Sequence, residues 1–497
     1  MDVTYRHEQD SAGLDRRAAR GTVWVALSSW LNRLVLVAVL AVLATRLGPR
    51  ELGILSVGGL CQNALIILGS LGLADALVYQ RERVSEAART ALTLAAIAGV
   101  LIGGLLVAAA PAVGAFFRVP EATGIIRAYG LMVPLNVVKQ VPFALLTREL
   151  AFNRRFVPET LPRIVGGVVT IGLALAGVGV WSLVIGDAVA SVLSLVLCFA
   201  VLPARSGFSW HPDWHPDLAV GLWRYGKHIA ATQGFDFALQ NIDYVLVGRL
   251  LGPIALGYYS LAFRIAILPF LAIAYVIAGV TFPYFARLAP DLDRIRGAFR
   301  STFGVAMATV CLFGGGVIAL APSLLVLGAR WEPSVPVARA LGVYVCLRSA
   351  AHLIHALLAA VGRPGVDAAL RGAWFVLLGV LIATVGRRGI VTVGVLQAVV
   401  ASVLLGGYVS AASRLVGLSA GRLVLDLARQ AVVVAVAALA VAGLRMLGGI
   451  WTADSSWGTL FLLGSVFVLA YSAATMLLLP GIGADLRKVR ARLSDPR

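Results

Sequence analysis

Long apolar runs fill most of this chain, and short segments rich in Arg, Gly and Pro separate them. A helix of about 20 apolar residues crosses the hydrocarbon core of a bilayer. The pattern therefore predicts an all-α, polytopic membrane protein with about fourteen transmembrane helices. The first run holds Asn32 and Arg33 and is too long for a cleavable signal, so we expect it to remain in the mature protein.

A ten-residue segment recurs along the chain. Leu-Gly-Pro-Arg-Glu-Leu-Gly-Ile-Leu-Ser at 47–56 matches Leu-Gly-Pro-Ile-Ala-Leu-Gly-Tyr-Tyr-Ser at 251–260, and six predicted spans separate the copies. An even number of spans gives both copies the same membrane orientation, so we predict two pseudo-symmetric six-helix lobes followed by two C-terminal helices. The predicted segments are a tail at 1–20, an N-lobe at 21–203, a linker at 204–219, a C-lobe at 220–411, two extra helices at 412–480 and a basic tail at 481–497.

Basic residues are distributed unevenly between the two sides of the membrane. Of the 42 Lys and Arg residues, 28 fall in the segments that share a side with both termini, and 10 fall on the other side. Cytoplasmic loops carry the excess of Lys and Arg, so both termini are predicted to be cytoplasmic. The net charge of +18 then reflects this bias, with anionic lipid headgroups as its partner. Because the basic residues are scattered over short segments, nucleic-acid binding is not expected.

The four remaining basic residues lie inside predicted spans: Arg33, Lys139, Arg264 and Arg348. A charge at the bilayer centre costs roughly 2.5–3.5 kcal/mol, so such a residue normally faces a partner or a watery cavity. Guanidinium and ammonium groups suit phosphate oxygens. The four cations therefore predict a binding path for an anionic substrate.

Two spans add polar faces. The seventh span carries four polar residues at helical spacing: Gln233, Asp236, Gln240 and Asp243. By the repeat, Asp236 corresponds to Asn32 in the first span. These residues predict a cavity-lining face. The alternative is a structural network in which Arg33 pairs with one of the two aspartates.

In the tenth span, His352 and His355 share a face with Arg348. Histidine titrates near neutral pH, so these residues could couple transport to an H⁺ gradient, although Na⁺ coupling and a plain hydrogen-bonding role remain alternatives.

Several functions are excluded or disfavoured. The chain has no G-x-x-x-x-G-K-[ST] phosphate loop, and no exposed segment long enough for a soluble catalytic domain, so neither an ATPase nor another enzyme is expected. The His-Pro-Asp repeat at 211–217 offers two loop histidines without a third convergent ligand, so no metal site and no bound cofactor are predicted.

Short motifs identify a family resemblance. They are the Leu-Gly-Pro-x-x-Leu-Gly turn, Gly-Leu-Ala-Asp-Ala-Leu-Val-Tyr-Gln at 72–80, Leu-Leu-Thr-Arg-Glu-Leu-Ala-Phe at 145–152, and Gly-Val-Gly-Val-Trp-Ser-Leu-Val at 177–184. Because these motifs occur together in this order and spacing, the chain resembles the Wzx/WzxC-like polysaccharide flippases of the MOP superfamily. The MATE transporters belong to the same superfamily.

The resemblance implies an inner-membrane transporter that moves undecaprenyl-pyrophosphate-linked oligosaccharide from the cytoplasmic to the outer leaflet. Alternating access around a cationic cavity between the lobes is the mechanism it implies. Such a protein serves lipopolysaccharide or exopolysaccharide biosynthesis, where polysaccharide polymerase machinery is a possible partner. A drug or cation antiporter of the same superfamily, favoured by Asp236 and Asp243, and a membrane glycan polymerase or ligase remain alternatives.

Overall fold

The computed structural model describes residues 24–25, 27–202, 211, 213–447 and 456–479. The predicted tails at 1–20 and 481–497, and most of the predicted linker at 204–219, lie outside these residues.

The described chain is built of α-helices joined by short turns, and no strand occurs within it. The helices are α1 (Leu27–Arg46), α2 (Pro49–Ser70), α3 (Leu73–Tyr79), α4 (Val84–Phe116), α5 (Thr123–Val138), α6 (Gln140–Arg148), α7 (Phe152–Leu175), α8 (Trp181–Val201), α9 (Pro216–Ala266), α10 (Tyr275–Leu288), α11 (Leu292–Leu320), α12 (Ser334–Ala360), α13 (Pro364–Val385), α14 (Ile390–Val416), α15 (Ala420–Leu447) and α16 (Trp457–Leu478).

The all-α, polytopic membrane fold predicted from the sequence is confirmed. Within the described ranges, 13 helical segments are long and apolar enough to cross a membrane. One of them, Pro216–Leu288, has 73 residues. A straight helix of that length would extend for about 110 Å, whereas the hydrocarbon core of a bilayer is about 30 Å thick. This segment therefore accounts for two of the predicted crossings.

The break within that segment lies at the repeated Leu-Gly-Pro motif. Gly252 has φ 85° and ψ 179°, a backbone conformation that is essentially restricted to glycine. Pro253 follows, and its ring and missing N–H are incompatible with a continuous helix interior. The earlier copy of the motif likewise separates α1 from α2, where Gly48 precedes the helix that begins at Pro49. Both copies therefore link one span to the next, as predicted.

The chain divides into two compact units, 1–241 and 242–497, and the division falls inside α9. In the first unit α4 packs on α5, α7 packs on α8, α2 contacts both α4 and α5, and α5 contacts α8. A buried cluster around Leu73, Leu77 and Val133 includes Leu222, from the first part of α9. The predicted lobe boundaries at 203 and 220 stay a prediction.

The second unit repeats the helix pairing of the first. Here α11 packs on α12, α13 packs on α14, α10 contacts both α11 and α12, and α12 contacts α14. The two additional helices, α15 and α16, pack on each other and on α11. The Tyr471 hydroxyl ties them together, because it donates to the Ala308 carbonyl at 2.8 Å and contacts Gln430 Oε1 at 2.9 Å. The predicted arrangement of two six-helix lobes followed by two helices stays a prediction, since the division of the chain falls inside α9.

Close glycine contacts recur at equivalent places in both units. A Cβ added at Gly103 of α4 would lie 2.6 Å from the carbonyl oxygen of Gly130 in α5. In the second unit, a Cβ added at Gly342 of α12 would lie 3.1 Å from the carbonyl oxygen of Gly314 in α11. Small residues allow helix backbones to approach closely in membranes, where dispersion contacts replace the hydrophobic effect. These pairs therefore set the spacing of α4 on α5 and of α11 on α12.

Substituting Gly103 with Ala should destabilise the protein, whereas the same change at its neighbour should not. The new methyl at position 103 would clash with the backbone of α5, and overpacking of this kind costs about 1–3 kcal/mol. Gly104 is exposed, and no atom lies within 4 Å of a Cβ built there. Gly104→Ala should therefore be neutral or raise stability by about 0.5–1 kcal/mol, because it removes a flexible residue from a helix.

Thermal unfolding of the purified variants in one detergent measures the difference. A melting temperature that shifts equally for Gly103→Ala and Gly104→Ala would contradict the close packing of α4 on α5.

Candidate functional site

The four predicted cations are distributed over both units. Arg33 lies on α1, and Lys139 lies between α5 and α6, both in the first unit. Arg264 lies near the end of α9 and Arg348 in the middle of α12, both in the second unit. All four side chains are partly buried.

Arg348 has the most elaborate surroundings of the four cations. Its guanidinium carbon lies 4.5 Å from the ring centre of Phe270, 5.3 Å from that of Trp374 and 5.7 Å from that of Tyr344. Its Nη1 also donates to the Tyr344 hydroxyl at 2.6 Å. Cation–π contacts of this kind contribute about 0.5–2 kcal/mol each, depending on desolvation. Aromatic faces therefore stabilise a buried guanidinium here.

The two predicted histidines connect this aromatic cluster to a carboxylate. The His352 ring lies 5.1 Å from the Phe270 ring and stacks on His355 at 5.5 Å. His355 Nδ1 lies 2.7 Å from Asp367 Oδ1, and Arg371 Nε lies 2.9 Å from Asp367 Oδ2. A continuous series of contacts therefore runs along α12 from Arg348 to the carboxylate of α13.

Two further contacts close this network. The Tyr408 hydroxyl on α14 donates to Asp367, and Arg371 Nη2 lies 3.3 Å from His355 Nε2. Asp367 is thus held by groups from α12, α13 and α14. A buried carboxylate with this many donors is well compensated. The network fixes the orientation of His355, which is the predicted proton-coupling residue nearest to a carboxylate.

Asp243 lies in a separate, fully buried hydrogen-bond network. Its Oδ2 accepts from the Tyr259 hydroxyl at 2.6 Å and from Gln397 Nε2 at 2.9 Å, and its Oδ1 accepts from the Tyr244 backbone N–H at 2.9 Å. The side chain is only 1% exposed. These contacts join α9 to α14 and have the form of a structural network. The cavity-lining role predicted for Asp243 stays a prediction.

Arg264 lies five residues after Tyr259 on α9, beside the same network. Its guanidinium interacts with the phenol of Tyr244, which in turn makes edge-on contacts with the rings of Tyr259 and Phe263.

The rest of the predicted polar stripe on α9 is more exposed than Asp243. Gln233 and Gln240 are exposed, and Gln233 Nε2 donates to Asp75 Oδ2 at 3.0 Å. Asp236 is half-buried and has an interaction partner. Exposed amides in a membrane-crossing helix favour contact with water over contact with lipid. The first three members of the stripe therefore differ from Asp243 in environment.

Asn32 takes part in a contact between α1 and α7. Its Nδ2 donates to Ser28 Oγ at 3.3 Å, and Ser28 Oγ lies 2.7 Å from Thr160 Oγ1 in a buried hydrogen bond. The neighbouring Arg33 has its guanidinium carbon 5.9 Å from the Trp30 ring centre. Interhelical hydroxyl bonds of this kind stabilise membrane helix pairs by about 0.6 kcal/mol on average. Asn32 therefore serves helix packing next to a predicted cation.

Lys139 lies at a helix break that proline explains. Pro142 has no N–H to donate to the Val138 carbonyl, so the α-helical hydrogen-bond series cannot continue through this turn. The charges of Arg163, Asp187 and Glu159 act on Lys139.

The segment around Lys139 is held by polar contacts between α5 and α8. Asn136 Nδ2 lies 3.2 Å from Ser191 Oγ, and the Tyr129 hydroxyl donates to Asp187 Oδ2 at 3.1 Å. These contacts hold the end of α5 in place, and with it the backbone that carries Lys139.

The His-Pro-Asp loop belongs to an exposed ion-pair cluster on the first unit. His215 Nε2 lies 3.2 Å from Asp213 and 3.7 Å from Glu86, while Arg83 Nη1 lies 2.7 Å from Asp217. The Trp214 backbone N–H donates to Asp213 and lowers the pKa of that carboxyl below its ordinary value. The cluster attaches the start of α9 to the start of α4.

Sequence reasoning missed several residues that complete these networks. Asp367 and Arg371 stand four apart at the start of α13, and this ion-pair spacing was an available signal. Phe270, Trp374 and Gln397 gave no comparable signal, because their roles depend on contacts between helices that are distant in sequence.

Comparisons with known proteins extend these observations. Residues 42–336 match a family described as polysaccharide biosynthesis protein. The succinoglycan biosynthesis transport protein ExoT of Rhizobium meliloti is 28% identical over 65% of this chain, and the match covers 65% of ExoT, just under two thirds of its length. The lipopolysaccharide biosynthesis protein WzxC of Escherichia coli is 24% identical over 71% of this chain and 72% of its own.

Solved structures share the fold. The lipid II flippase MurJ, in an inward closed conformation, superposes with a TM-score of 0.71 at 10% identity, covering 93% of this chain and 99% of MurJ. A multidrug resistance MATE family transporter of the MOP superfamily, in an inward-facing conformation, superposes with a TM-score of 0.60 at 16% identity. The superposition covers 79% of this chain and 95% of the transporter. At these identities the likeness concerns the fold alone.

Removing the Tyr259 hydroxyl should destabilise the protein by about 1–3 kcal/mol, because Tyr259→Phe takes the closest donor from a buried carboxylate. The adjacent Tyr258 is the matched control, because its ring packs edge-on against Trp331 and no described residue hydrogen-bonds to its hydroxyl. The measurement is the melting temperature of each purified variant, which should fall more for Tyr259→Phe than for Tyr258→Phe. Similar values for both variants would contradict the structural importance of the Asp243 network.

Proposed function

Since this chain belongs to the family of polysaccharide biosynthesis proteins, we propose that it transports a lipid-linked oligosaccharide across the membrane in which it is embedded. The substrate is a polyprenyl-pyrophosphate-linked glycan, with undecaprenyl as the carrier lipid. The direction is from the cytoplasmic to the outer leaflet of the bacterial inner membrane, with both termini in the cytoplasm. The protein acts as a transporter and catalyses no covalent chemistry.

The observation that carries this proposal is that cations in the membrane spans lack a carboxylate counter-ion. Within the part of the chain that the structure describes, no carboxylate lies within ion-pair distance of Lys139, Arg264 or Arg348. An ion without a counter-ion costs several kcal/mol when it is taken out of water. An anionic substrate reduces that cost by supplying the missing negative charge.

The pyrophosphate of a lipid-linked sugar matches these cations in charge and geometry. Guanidinium presents a planar fork of donors to phosphate oxygens, and ammonium adds a point charge. In the proposed cycle, Arg33, Lys139, Arg264 and Arg348 take the headgroup from the cytoplasmic side, and the lipid tail stays in the bilayer. The protein then opens to the other side by alternating access. Polymerase machinery that uses the exported glycan is a proposed partner, and anionic phospholipids contact the basic loops.

Coupling to an ion gradient is the second part of the proposal. His355 lies against Asp367 and stacks on His352, which leads to the aromatic cluster around Arg348. Protonation of an imidazole in this series adds a positive charge close to a proposed substrate contact. An H⁺ gradient can therefore bias substrate binding, and Na⁺ is the alternative ion.

Leaflet accessibility in proteoliposomes tests the transport function. Wild type should make a polyprenyl-pyrophosphate oligosaccharide accessible on the opposite face, and Arg264→Gln should slow the initial rate at least about 10-fold, because it removes a charge-assisted contact. Arg294→Gln is the matched control, since its side chain is 76% exposed.

Two results would contradict the proposal. The first is an unchanged rate in all four single Gln variants at positions 33, 139, 264 and 348. The second is an inactive wild type that instead exports small cations under an H⁺ or Na⁺ gradient, which would indicate an antiporter.

Between about pH 5 and 8, the transport rate of the double variant His352→Gln/His355→Gln should depend less on pH than the rate of wild type, because both imidazoles through which coupling is proposed are removed. Initial rates are measured across that range with an imposed H⁺ gradient. His228→Gln, an exposed histidine on α9, should keep the wild-type profile. A double variant with the wild-type pH profile would rule out coupling through this pair.

A further inference from the structure

The indole N–H of Trp374 is a buried donor that needs an acceptor. The side chain is 7% exposed, and its Nε1 has no hydrogen-bond partner among the described residues. Buried polar groups in folded proteins nearly always have a partner, and those without one require an explanation. Indole Nε1–H can only donate. The missing partner is therefore an acceptor, such as an anion.

A cation without a counter-ion lies against the same ring. The Arg348 guanidinium carbon is 5.3 Å from the Trp374 ring centre, and Phe270 and Tyr344 contribute the other aromatic rings around it. Rings near a guanidinium cover its faces and leave donors at its edges, and one of these donors contacts the Tyr344 hydroxyl. The cluster thus combines a held guanidinium with a neighbouring neutral donor.

The buried carboxylates of this unit are occupied elsewhere. Among the described residues of 242–497, the buried acids are Asp243 and Asp367. Asp243 accepts from Tyr259 and Gln397, and Asp367 is held by His355 and Arg371. Neither lies within ion-pair distance of Arg348. The protein leaves this cation available for an external anion.

We propose that Arg348 and the Trp374 Nε1–H form a phosphate-binding site on α12 and α13. Phe270 and Tyr344 are its positioning residues, because their rings contact the guanidinium and the Tyr344 hydroxyl accepts a hydrogen bond from it. The site deepens the proposed transport function and rests on it for the identity of the occupant, which is a phosphate group of the lipid-linked substrate. A cation is excluded, because both ligating groups are donors and one is positively charged.

The chemistry of the site explains why these residue types are needed. Two oxygens of one phosphate accept from the guanidinium fork, and a neighbouring oxygen accepts from the indole N–H. Lysine cannot replace Arg348, because an ammonium lacks both the planar face that stacks on aromatic rings and the fork of donors. Trp374→Phe is an informative change, because it keeps an aromatic ring beside Arg348 and removes only the N–H donor and part of the ring area.

Binding of inorganic pyrophosphate by the purified full-length protein tests the site. The protein is held in nanodiscs of phosphatidylcholine, and dissociation constants come from calorimetric titration. Trp374→Phe should weaken binding about 10-fold, and Tyr344→Phe, which removes the hydroxyl that orients the guanidinium, should weaken it about 3- to 10-fold. Trp223→Phe, an exposed tryptophan on α9, should bind as wild type does. Matching melting temperatures show that the variants are folded.

A second titration identifies the source of the phosphate. Polyprenyl pyrophosphate that binds at least 10-fold more tightly than inorganic pyrophosphate, with the same loss in Trp374→Phe, supports a lipid-linked occupant. Equal affinities for both probes support the site with a free anion as its ligand. A folded Trp374→Phe variant and a folded Tyr344→Phe variant that both bind pyrophosphate like wild type overturn the proposal.

The site and the transport function can fail separately. Wild type that moves lipid-linked oligosaccharide, together with unaltered pyrophosphate binding in both Trp374→Phe and Tyr344→Phe, overturns the site alone. Wild type that moves no oligosaccharide, together with weakened pyrophosphate binding in Trp374→Phe, overturns the transport function and retains the site.

Discussion

The high cost of an uncompensated charge or polar group inside a bilayer governs this structure. Backbone groups meet that constraint by forming helices throughout the described part of the membrane region. Buried acids meet it with several donors, as Asp243 does with Tyr259 and Gln397, and Asp367 with His355 and Arg371. The cations meet it differently. Arg348 contacts aromatic rings, and no carboxylate of the described residues lies within ion-pair distance of Arg264 or Arg348.

This difference separates structural polar groups from functional ones. Asp243 accepts from the Tyr259 hydroxyl, Gln397 Nε2 and the Tyr244 backbone N–H, and these bonds hold α9 and α14 together. The Trp374 indole N–H is buried without a partner among the described residues, and the phosphate group proposed above supplies an acceptor for it. The division of roles agrees with a transporter for an anionic lipid headgroup.

Much of the fold followed from the sequence, because hydrophobic length and turn chemistry are local properties. The span pattern and the break at Gly252 and Pro253 were both predictable, and so was the resemblance to polysaccharide flippases. The cations and histidines were found because a charge in an apolar run is conspicuous. Phe270, Trp374 and Gln397 were not found, since an aromatic or amide residue in a helix acquires its role only from a distant helix.

The glycine contacts between α4 and α5, and between α11 and α12, also mark equivalent positions in the two units of the chain. Gly130 and Gly342 occupy the same place in their respective pairs, so Asn136 and Arg348, six residues further along, are counterparts. One copy has a neutral amide bonded to Ser191, and the other has a cation among aromatic rings. Two units with the same helix pairing can thus keep their backbone contacts while equivalent positions carry side chains of different charge.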